Sequence, residues 1–340
     1  MSSSSILDAF PGIVTTPPKH AASPSEAALF VAHRHIGKGS FASVYQMVQI
    51  ATNRVVVGKF MDLSTMPEAN RQFAFAEAKN SSTNSHPNII SFIASYRSDV
   101  QPNYLLLVFE FADAGDLSVQ VTARAPSRYF KETEILMISA QLCLALHYLH
   151  EKNMMHRDIK TQNVFLTTSG LIKIGDFGLS RQYERDIETD VGSTFCGTPF
   201  YLAPELWKRT MYSRKADMWS VGVVMYELMA LKKPFFAPTM KELVNQVVGG
   251  VYAPLPAFYS PELCELVYSL LNVDPSKRPS TMELLTNPLM QSLGLETLKK
   301  NLPRLTAVPE STKKALSDAI DAVMLPLTDP PAEDQKRSAP

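Results

Sequence analysis

The hydrophobic pattern of the chain changes once, from strand-like in its first third to helical in the rest. Residues 44–50 and 55–60 are β-rich runs, and residues 104–111 (YLLLVFEF) form a nearly continuous apolar run of strand length. From about residue 132 onward, apolar side chains recur at helical spacing, and residues 219–231 are apolar nearly all round. The pattern predicts an α+β fold with a small β-rich unit followed by a larger helical unit.

The two ends of the chain differ from this middle part. Residues 1–28 are rich in Ser, Pro and Ala and carry too little apolar surface to offset the entropy of ordering, which predicts a flexible, disordered extension. In the tail, residues 292–340, an apolar stripe predicts a short amphipathic helix near 312–325 before a disordered end. This helix either packs on the domain or docks a partner. The stripe consists of Leu316, Ile320, Val323 and Leu327.

Composition argues against several classes of protein. Lys+Arg and Asp+Glu both number 33, and this zero net charge disfavours a protein that binds nucleic acid by broad electrostatics. Cys143, Cys196 and Cys264 are widely separated and provide neither a disulfide framework nor a metal-ligand pair. No apolar run is long enough for a membrane span and no secretory signal is recognisable, so we expect a cytoplasmic protein.

An imperfect G-x-G-x-x-G motif occupies residues 37–42. The rival interpretation is a dinucleotide-binding turn, in which such glycines bring backbone N–H groups to phosphate at the start of a helix. Asp62 falls 23 residues after Gly39, close to where a ribose-binding acid would stand. The residues that follow the motif are instead β-branched and alternating, which favours a β-hairpin that forms a flap over phosphates.

Lys59 ends the apolar run of residues 55–59. An ammonium group in this position is costly unless it finds anionic partners. Phosphate oxygens and the carboxylate of Glu77, 18 residues further along the chain, are the candidates. The alternative is an ordinary exposed lysine.

An ordered set of polar residues in the helical part carries the strongest chemical signal. Residues 156–163 (HRDIKTQN) place Asp158, Lys160 and Asn163 close together, and the tripeptide DFG at 176–178 begins 18 residues after Asp158. Phosphoryl transfer needs one carboxylate to orient the hydroxyl nucleophile and accept its proton, and others to hold Mg²⁺ across the phosphates. The set meets those needs, and chance does not produce it in this order.

Together these motifs resemble the eukaryotic protein kinase family over about residues 29–291. The resemblance implies a two-lobed protein kinase fold, with a small β-rich N-lobe at 29–111 and a larger helical C-lobe at 116–291. It also implies ATP and Mg²⁺ as cofactors and protein substrates with Ser or Thr acceptors.

Two segments place the resemblance within the serine/threonine class. Lys160 after HRD and the run GTPFY at 197–201 are typical of that class rather than of the tyrosine class. The segments 156–181 and 196–206 are most similar to the NIMA-related (NEK) kinases. This similarity implies a cytoplasmic location, associated with the cytoskeleton, the centrosome or the cilium, and implies neither nucleic acid nor a membrane span.

Carried over position by position, the resemblance implies that Asp158 is the catalytic base and that Lys160 neutralises the transferring phosphate. Lys59 holds the α- and β-phosphates and pairs with Glu77. The hinge offers backbone groups of two residues to the adenine, Asp116 contacts the ribose, and other residues line the pocket. The residues implied around ATP are Ile36, Gly37, Lys38, Gly39, Ser40, Phe41, Ala42, Val44, Lys59, Phe109 at the back, Glu110 and Ala112 in the hinge, Asp116, and Phe165 under the adenine.

The resemblance implies that Asn163 and Asp176 bind Mg²⁺ and that a phosphate regulates the site. A buried guanidinium at Arg157 has unused donors unless an anion arrives, and a phosphate offers bidentate pairing. Thr194 is the first candidate to carry that phosphate, and Ser193 is the second. An upstream kinase or an activating partner is therefore expected, and the alternative is a constitutively ordered loop.

A further group of residues is implied to stabilise the active arrangement. Glu205 is expected to pair with Arg278, and Asp217 to brace the catalytic loop. The group also includes Phe177, Gly178 and Thr198.

Three positions depart from the family pattern. Ala42 stands where a third glycine is usual, which costs strain if that position needs a positive φ. Gly58 replaces the usual alanine over the adenine, which predicts a roomier roof. Ser81 stands where an apolar side chain normally stacks on the Phe of DFG, which predicts a loosely held helix whose Lys59–Glu77 pair closes fully only with a partner or a phosphate.

The alternative function is a pseudokinase or a nucleotide-binding scaffold. Loss of one or more catalytic residues usually marks such proteins, whereas this chain retains all of them. They are Lys59, Asp158, Lys160, Asn163 and Asp176. We therefore expect an active, Mg-ATP-dependent serine/threonine kinase.

Overall fold

A computed structural model describes residues 10, 13–14, 29–38, 42–98, 103–182 and 198–324, without the side chains of residues 14, 69, 181 and 182. In the first lobe the strands are β1 (Ile13–Val14), β2 (Phe30–Lys38), β3 (Ala42–Gln49), β4 (Arg54–Asp62), β5 (Phe92–Arg97) and β6 (Tyr104–Glu110). They form one sheet in the order β1-β2-β3-β4-β6-β5, antiparallel except where β1 runs parallel to β2. The strands predicted at 44–50, 55–60 and 104–111 are confirmed.

Helices form most of the second lobe. Helix α1 (Glu68–Thr83) lies against the sheet, and the others follow the hinge: α2 (Leu117–Arg124), α3 (Glu132–Glu151), α4 (Pro204–Trp207), α5 (Lys215–Ala230), α6 (Met240–Gly249), α7 (Pro261–Leu270), α8 (Thr281–Leu285), α9 (Glu296–Asn301) and α10 (Glu310–Val323). Short strands pair antiparallel around the catalytic loop, β7 (Met154–Met155) with β10 (Arg181–Gln182) and β8 (Val164–Leu166) with β9 (Ile172–Ile174). No helix in the described ranges has the length and apolarity that a membrane crossing requires.

The apolar run predicted at 219–231 forms most of α5, which lies at the centre of the second lobe. Nearly every side chain of α5 is buried, because other helices cover it on all sides. The ring of Trp219 stacks on Phe235 at 5.4 Å. A helix packed in this way cannot shift without disturbing the whole lobe, so residues at its N-terminal end can serve as fixed points for the neighbouring catalytic loop.

The two faces of the first-lobe sheet have different roles. Side chains alternate between the side that faces α1, which we term the cleft face, and the opposite side, which we term the outer face. The cleft face carries Val44, Val57, Lys59, Leu107 and Phe109, and the outer face carries Tyr45, Met47, Val56, Phe60, Leu106 and Val108.

The position of Gly58 contradicts the prediction of a roomier roof over the adenine. Gly58 lies on the outer face, where a Cβ would stand 2.5 Å from Met47 Cε and 3.0 Å from Phe60 Cε2. The missing side chain therefore gives room to Met47, which is fully buried. Val57 is the residue next to Lys59 along the cleft face, so the prediction was wrong because it ignored strand alternation.

Part of the predicted disordered extension is ordered. Ile13 and Val14 form β1 beside Phe30 and Val31, and the Phe10 side chain is buried against the outer face. The prediction of a disordered extension over the whole of residues 1–28 was therefore wrong for these three residues. Their apolar side chains find a sheet edge and an uncovered apolar face, which composition alone does not reveal.

The tail continues the core of the second lobe rather than leaving it at residue 291. Helix α10 corresponds to the helix predicted near 312–325, and its Leu316, Ile320 and Val323 are buried in the same apolar cluster as α5. This decides between the two interpretations of the stripe in favour of packing on the domain. Leu327 lies outside the described residues.

Leu316→Ala should lower the free energy of unfolding by about 2–5 kcal/mol, because it removes a fully buried side chain and leaves a cavity. Lys314→Ala, on the exposed side of the same helix, is the control and should change it by less than about 0.5 kcal/mol. Urea denaturation followed by fluorescence measures both. Equal effects of the two variants would show that α10 does not contribute to the core.

Candidate active site

Lys59 lies on the cleft face of β4 between Val44 and Leu107 of the neighbouring strands. Its Nζ donates to both carboxylate oxygens of Glu77 at 2.8 Å and lies 3.3 Å from Asp176 Oδ1. Glu77 belongs to α1, and Asp176 follows β9 in the second lobe. One ammonium group therefore links the sheet, the helix and the DFG turn.

The electrostatics of this cluster keep opposite charges side by side. Burial disfavours the charged form of Lys59, but the carboxylates of Glu77 and Asp176 favour it more strongly, so the pKa of Lys59 lies above its usual value. Lys59 in turn holds the pKa of Asp176 below the ordinary carboxyl value, against the opposing effect of burial. At neutral pH the cleft thus presents an ammonium group for phosphates and an ionised carboxylate for a cation.

The structure contradicts the expectation that the Lys59–Glu77 pair closes only with a partner or a phosphate. Ser81 is buried, and its Oγ has no hydrogen-bond partner within the described part of the chain. The neighbouring amides hold the helix end instead: Asn80 Nδ2 donates to Ser180 O at 2.9 Å, and Asn84 Nδ2 donates to Asn80 O at 2.7 Å. These polar contacts replace the expected apolar stack, and the ion pair of α1 with β4 is closed.

Asp158 is held by donors on both carboxylate oxygens. Lys160 Nζ donates to Oδ2 at 2.6 Å, and Asn163 Nδ2 donates to the same oxygen at 3.0 Å. Thr198 Oγ1 donates to Oδ1 at 2.9 Å and accepts from Lys160 Nζ at 2.9 Å. The carboxylate is therefore fixed in orientation beside a cation and a hydroxyl, which is the arrangement of a proton acceptor positioned for an incoming alcohol.

Asp217, near the start of α5, braces the catalytic loop. Its Oδ2 accepts the backbone N–H of His156 at 3.0 Å, and its Oδ1 accepts that of Arg157 at 2.9 Å. His150 Nε2 lies 2.9 Å from Asp217 Oδ2 as a further buried partner. These contacts hold Arg157 at φ 66°, a left-handed conformation that costs energy in a residue with a side chain.

The side chain of Arg157 already has protein partners, so the prediction that its donors are unused without an anion was wrong. Its Nε donates to Leu179 O at 2.5 Å, and its Nη1 donates to Tyr212 Oη at 3.1 Å. The guanidinium group thus joins the residue that follows DFG to the segment that leads into α5. Thr194 and Ser193 lie outside the described residues.

Asn163 and Asp176 are the two residues that could hold Mg²⁺. Asn163 Nδ2 also donates to Asp158 O at 2.8 Å, which leaves the side-chain carbonyl as the remaining polar atom of Asn163. Asp176 supplies an ionised carboxylate. Amide and carboxylate oxygens are the ligands that Mg²⁺ takes from proteins, and phosphates and water complete its shell, so the donor set fits this ion.

The DFG turn is fixed by its phenylalanine. Phe177 is buried, and its ring centroid lies 5.1 Å from that of His156. Burial lowers the pKa of His156, and the neutral ring is placed to donate from Nε2 to Gly175 O at 3.2 Å. A Cβ at Gly178 would lie 3.4 Å from Asp176 Oδ1 and 3.5 Å from Glu77 Oε2, which is ordinary van der Waals contact with both carboxylates.

The structure brings the described members of the implied ATP pocket to the same cleft. Gly37 and Lys38 end β2 opposite Val44 and Ser43, and Ile36, beside them, is exposed. Ala42 lies in extended strand β3 and has no positive φ, so the strain considered for it does not arise. Gly39, Ser40 and Phe41 lie outside the described residues.

The hinge joins this cleft to the second lobe. Glu110 donates its backbone N–H to Ser91 O at 2.9 Å. Its carboxylate accepts from Ser91 N–H at 2.7 Å and pairs with Lys173 at 2.8 Å. Phe109, in contact with Phe92, and Ala112 flank this position. Lys173 lies three residues before Asp176, so one ion pair ties the hinge to the strand that delivers the metal-ligand candidate.

Asp116 and Phe165 lie together at the floor of the cleft, joined by an isolated β-bridge. Asp116 also begins α2 and caps it, because its Oδ1 accepts from Ser118 N–H at 2.9 Å and Val119 N–H at 3.2 Å. Asp116, which the resemblance assigns to ribose binding, therefore also stabilises the start of α2.

Glu205 and Arg278 form a buried, bidentate ion pair. Arg278 Nη1 and Nη2 donate to the two carboxylate oxygens of Glu205 at 2.7 Å each, and Arg278 Nε donates to Asn272 O at 2.7 Å. Arg278 is only 1% exposed, and its guanidinium carbon lies 5.0 Å from the Trp219 ring centroid. This pair holds the end of the activation segment on α5.

Four residues of the site were missed by sequence reasoning: His150, Asn80, Lys173 and Tyr212. Helical spacing placed His150 on α3 next to apolar positions, where a histidine carries no signal of its own. The amide of Asn80 and the hydroxyl of Tyr212 act through single hydrogen bonds to distant residues. Lys173 alternates with two buried isoleucines in β9, a pattern that could have marked it as a buried charge with a partner.

Comparison with known proteins supports the resemblance to protein kinases. The protein kinase domain family model matches residues 30–290. Serine/threonine-protein kinase A of Trypanosoma brucei brucei is 42% identical over 291 residues, which cover 85% of this chain and 67% of the relative. Mouse Nek3 is 38% identical over 252 residues, covering 74% and 48% of the two chains, and human Nek2 is 35% identical over 287 residues, covering 83% and 64%. The chain thus spans about two thirds of the trypanosomal relative and less of the two NEK proteins.

Asn80→Ala should release the end of α1 and leave the Ser180 carbonyl unpaired. We expect a loss of about 1–3 kcal/mol in the free energy of unfolding, with a lower rate of ATP turnover. The control is Ser82→Ala, which removes an exposed hydroxyl from the same turn. Thermal unfolding and a coupled turnover assay measure the two effects. If both variants behave like the unmodified protein, the amide does not hold the helix.

Proposed function

This chain belongs to the protein kinase family and is a NEK-like serine/threonine kinase, and we propose that it transfers the γ-phosphoryl group of Mg-ATP to protein hydroxyls through the residues of this cleft. One observation carries the assignment of residues. Lys59 of the first lobe lies 3.3 Å from Asp176 of the second, while Asn163 is bonded to Asp158 on the adjoining loop. Phosphate-binding, metal-binding and proton-accepting groups are thereby held in one place.

Each group has a defined task in the proposed reaction. Lys59 neutralises phosphate oxygens and orients them, while Asn163 and Asp176 hold Mg²⁺. When bound there, Mg²⁺ would supply positive charge that offsets the negative charge developing on the phosphate oxygens. Most of the acceleration then comes from positioning and from fixed charges, since phosphoryl transfer asks for little covalent chemistry from the protein.

Asp158 orients the acceptor hydroxyl and takes its proton. Lys160, which donates to both Asp158 and Thr198, keeps a positive charge beside the path of the phosphoryl group. Thr198 belongs to the activation segment, so the geometry of the acceptor site depends on the order of that segment. The pseudokinase alternative lacks support because the full set of catalytic side chains is present and mutually bonded.

Asp158→Asn should lower kcat by about 10²–10⁴-fold, because the amide cannot accept the proton, and should leave the dissociation constant of Mg-ATP nearly unchanged. Transfer of radiolabelled phosphate to a peptide array measures the rate, and calorimetry measures the affinity. Glu151→Gln, which changes an exposed carboxylate at the end of α3, is the control and should keep full activity. Mg-ATP binding without any transfer by the unmodified protein would favour a nucleotide-binding scaffold instead.

Phosphorylation of Thr194 is the proposed switch. Arg157 is held in a left-handed conformation by Asp217, and its side chain reaches Leu179 of the activation segment. A phosphate, with a charge of about −1.5 to −2, would add charge-assisted hydrogen bonds to this guanidinium, beside its bonds to Leu179 and Tyr212, and order the segment that carries Thr198. Ser193 is the second candidate.

Thr194→Ala should lower kcat/KM by about 10- to 100-fold relative to phosphorylated protein, the effect of losing charge-assisted hydrogen bonds. Ser193→Ala is the matched control and should retain the phosphate at Thr194 and most of the activity. Mass spectrometry locates the phosphate, and the turnover assay is run before and after phosphatase treatment. Activity that survives both phosphatase and Thr194→Ala would point to a constitutively ordered segment.

Partners and location follow from the proposed function and from the NEK similarity. The expected partners are protein substrates and an upstream kinase or activating protein. The proposed location is the cytoplasm, with association with the cytoskeleton, the centrosome or the cilium. Imaging of the tagged chain tests this location directly.

A further inference from the structure

The outer face of the first-lobe sheet has an apolar core of its own. Buried side chains from four strands meet there, on the side of the sheet opposite Lys59. The members contributed by the sheet are Phe30, Ala32, Tyr45, Met47, Val56, Phe60, Tyr104, Leu106 and Val108, with Ile13, Ile93, Ala94 and Tyr96 at the margin. A face of this kind needs a cover, because contiguous apolar surface exposed to water is unfavourable.

Phe10 provides part of that cover. It is 6% exposed, and its ring meets the Phe60 ring edge to face at a centroid distance of 5.5 Å. Its carbonyl accepts the N–H of Ile13 at 2.8 Å, and Ile13 then pairs with Phe30 at the edge of the sheet. Phe10 is therefore attached both to the face of the sheet, through its ring, and to the edge of the sheet, through β1.

Phe60, the residue under Phe10, is adjacent to Lys59 in β4. Successive side chains in a strand point to opposite faces, so Phe60 is packed on the outer face while Lys59 reaches Glu77 and Asp176 on the cleft face. Phe60 also contacts Tyr45, with ring centroids 5.4 Å apart. A change in packing at Phe60 is thus transmitted through one peptide unit to the lysine.

The glycine at position 58 strengthens this coupling. Because Gly58 has no side chain, Met47 lies directly against the backbone of β4 beside Phe60. The strand that carries Lys59 therefore lies between the cleft and the outer core, where Met47 and Phe60 each have 0% exposure.

We propose that Phe10 is a positioning residue for the nucleotide site: it fixes the outer side of β4 and thereby the position of Lys59. Phe10 lies outside residues 30–290, the part matched by the kinase family model. The proposal depends on the proposed function, since its readout is the affinity for Mg-ATP.

The test compares Phe10→Ala, Phe10→Leu and Leu316→Ala in the full chain, at a temperature where thermal scans show each variant folded. Phe10→Ala should weaken Mg-ATP binding by about 2- to 30-fold, with kcat at saturating ATP changed less than KM. Phe10→Leu keeps an apolar side chain of similar reach and should restore most of the affinity. Leu316→Ala, which destabilises the distant α10, should leave the affinity unchanged.

Two results would overturn the proposal. In the first, Phe10→Ala lowers the melting temperature but binds Mg-ATP as tightly as Leu316→Ala does, which would make Phe10 merely structural. In the second, Phe10→Ala has neither effect. Failure of the proposed function is distinguishable, because it would appear in the unmodified protein as an absence of phosphoryl transfer. Phe10→Leu keeps the test decisive if Phe10→Ala does not fold.

Discussion

The contact of Lys59 with Glu77 and Asp176 is the interaction on which the rest of the site depends. It joins three parts of the chain: a strand, a helix and the DFG turn. Glu77 is buried and Lys59 is only partly exposed, and charges removed from water are expensive unless they are paired, so the contact stabilises both groups. The ammonium group of Lys59 is also the charge that phosphates require, and the carboxylate of Asp176 is the charge that magnesium requires. The arrangement that stabilises the fold is therefore also the one that suits the chemistry.

In the second lobe, buried hydrogen bonds likewise hold the catalytic loop in place, and they come from a residue on the buried helix α5. Asp217 is bonded to two backbone N–H groups of the catalytic loop and lies next to His150, and it belongs to a helix buried on all sides. The left-handed backbone at Arg157 is tolerated because these bonds fix it. The Glu205–Arg278 pair secures the other end of the activation segment. Contacts with α5 therefore fix the catalytic loop that carries Asp158, and the Glu205–Arg278 pair fixes the end of the activation segment beside it.

The strands, the central helix and the polar residues of the cleft could be predicted from the sequence, because each has a local signal in spacing or in motif. The errors arose where a residue's role depends on contacts that spacing does not encode. Gly58 was placed on the wrong face, since a motif position does not by itself give the side of a strand. Ser81 was taken as a sign of a loose helix, whereas the neighbouring Asn80 holds that helix by a bond to Ser180, a hundred residues away. Phe10 was overlooked because it lies in a segment whose composition is typical of disorder.

A double-mutant cycle on Lys59→Met and Glu77→Gln, with the affinity for Mg-ATP measured by calorimetry, tests the central claim most directly. If the two side chains act as one unit, Glu77→Gln weakens binding in the unmodified background and has little further effect once Lys59 is replaced. The coupling energy should then be about 0.5–3 kcal/mol. Additive effects of the two substitutions would contradict the account, because they would show that Glu77 does not position the lysine that holds the phosphates.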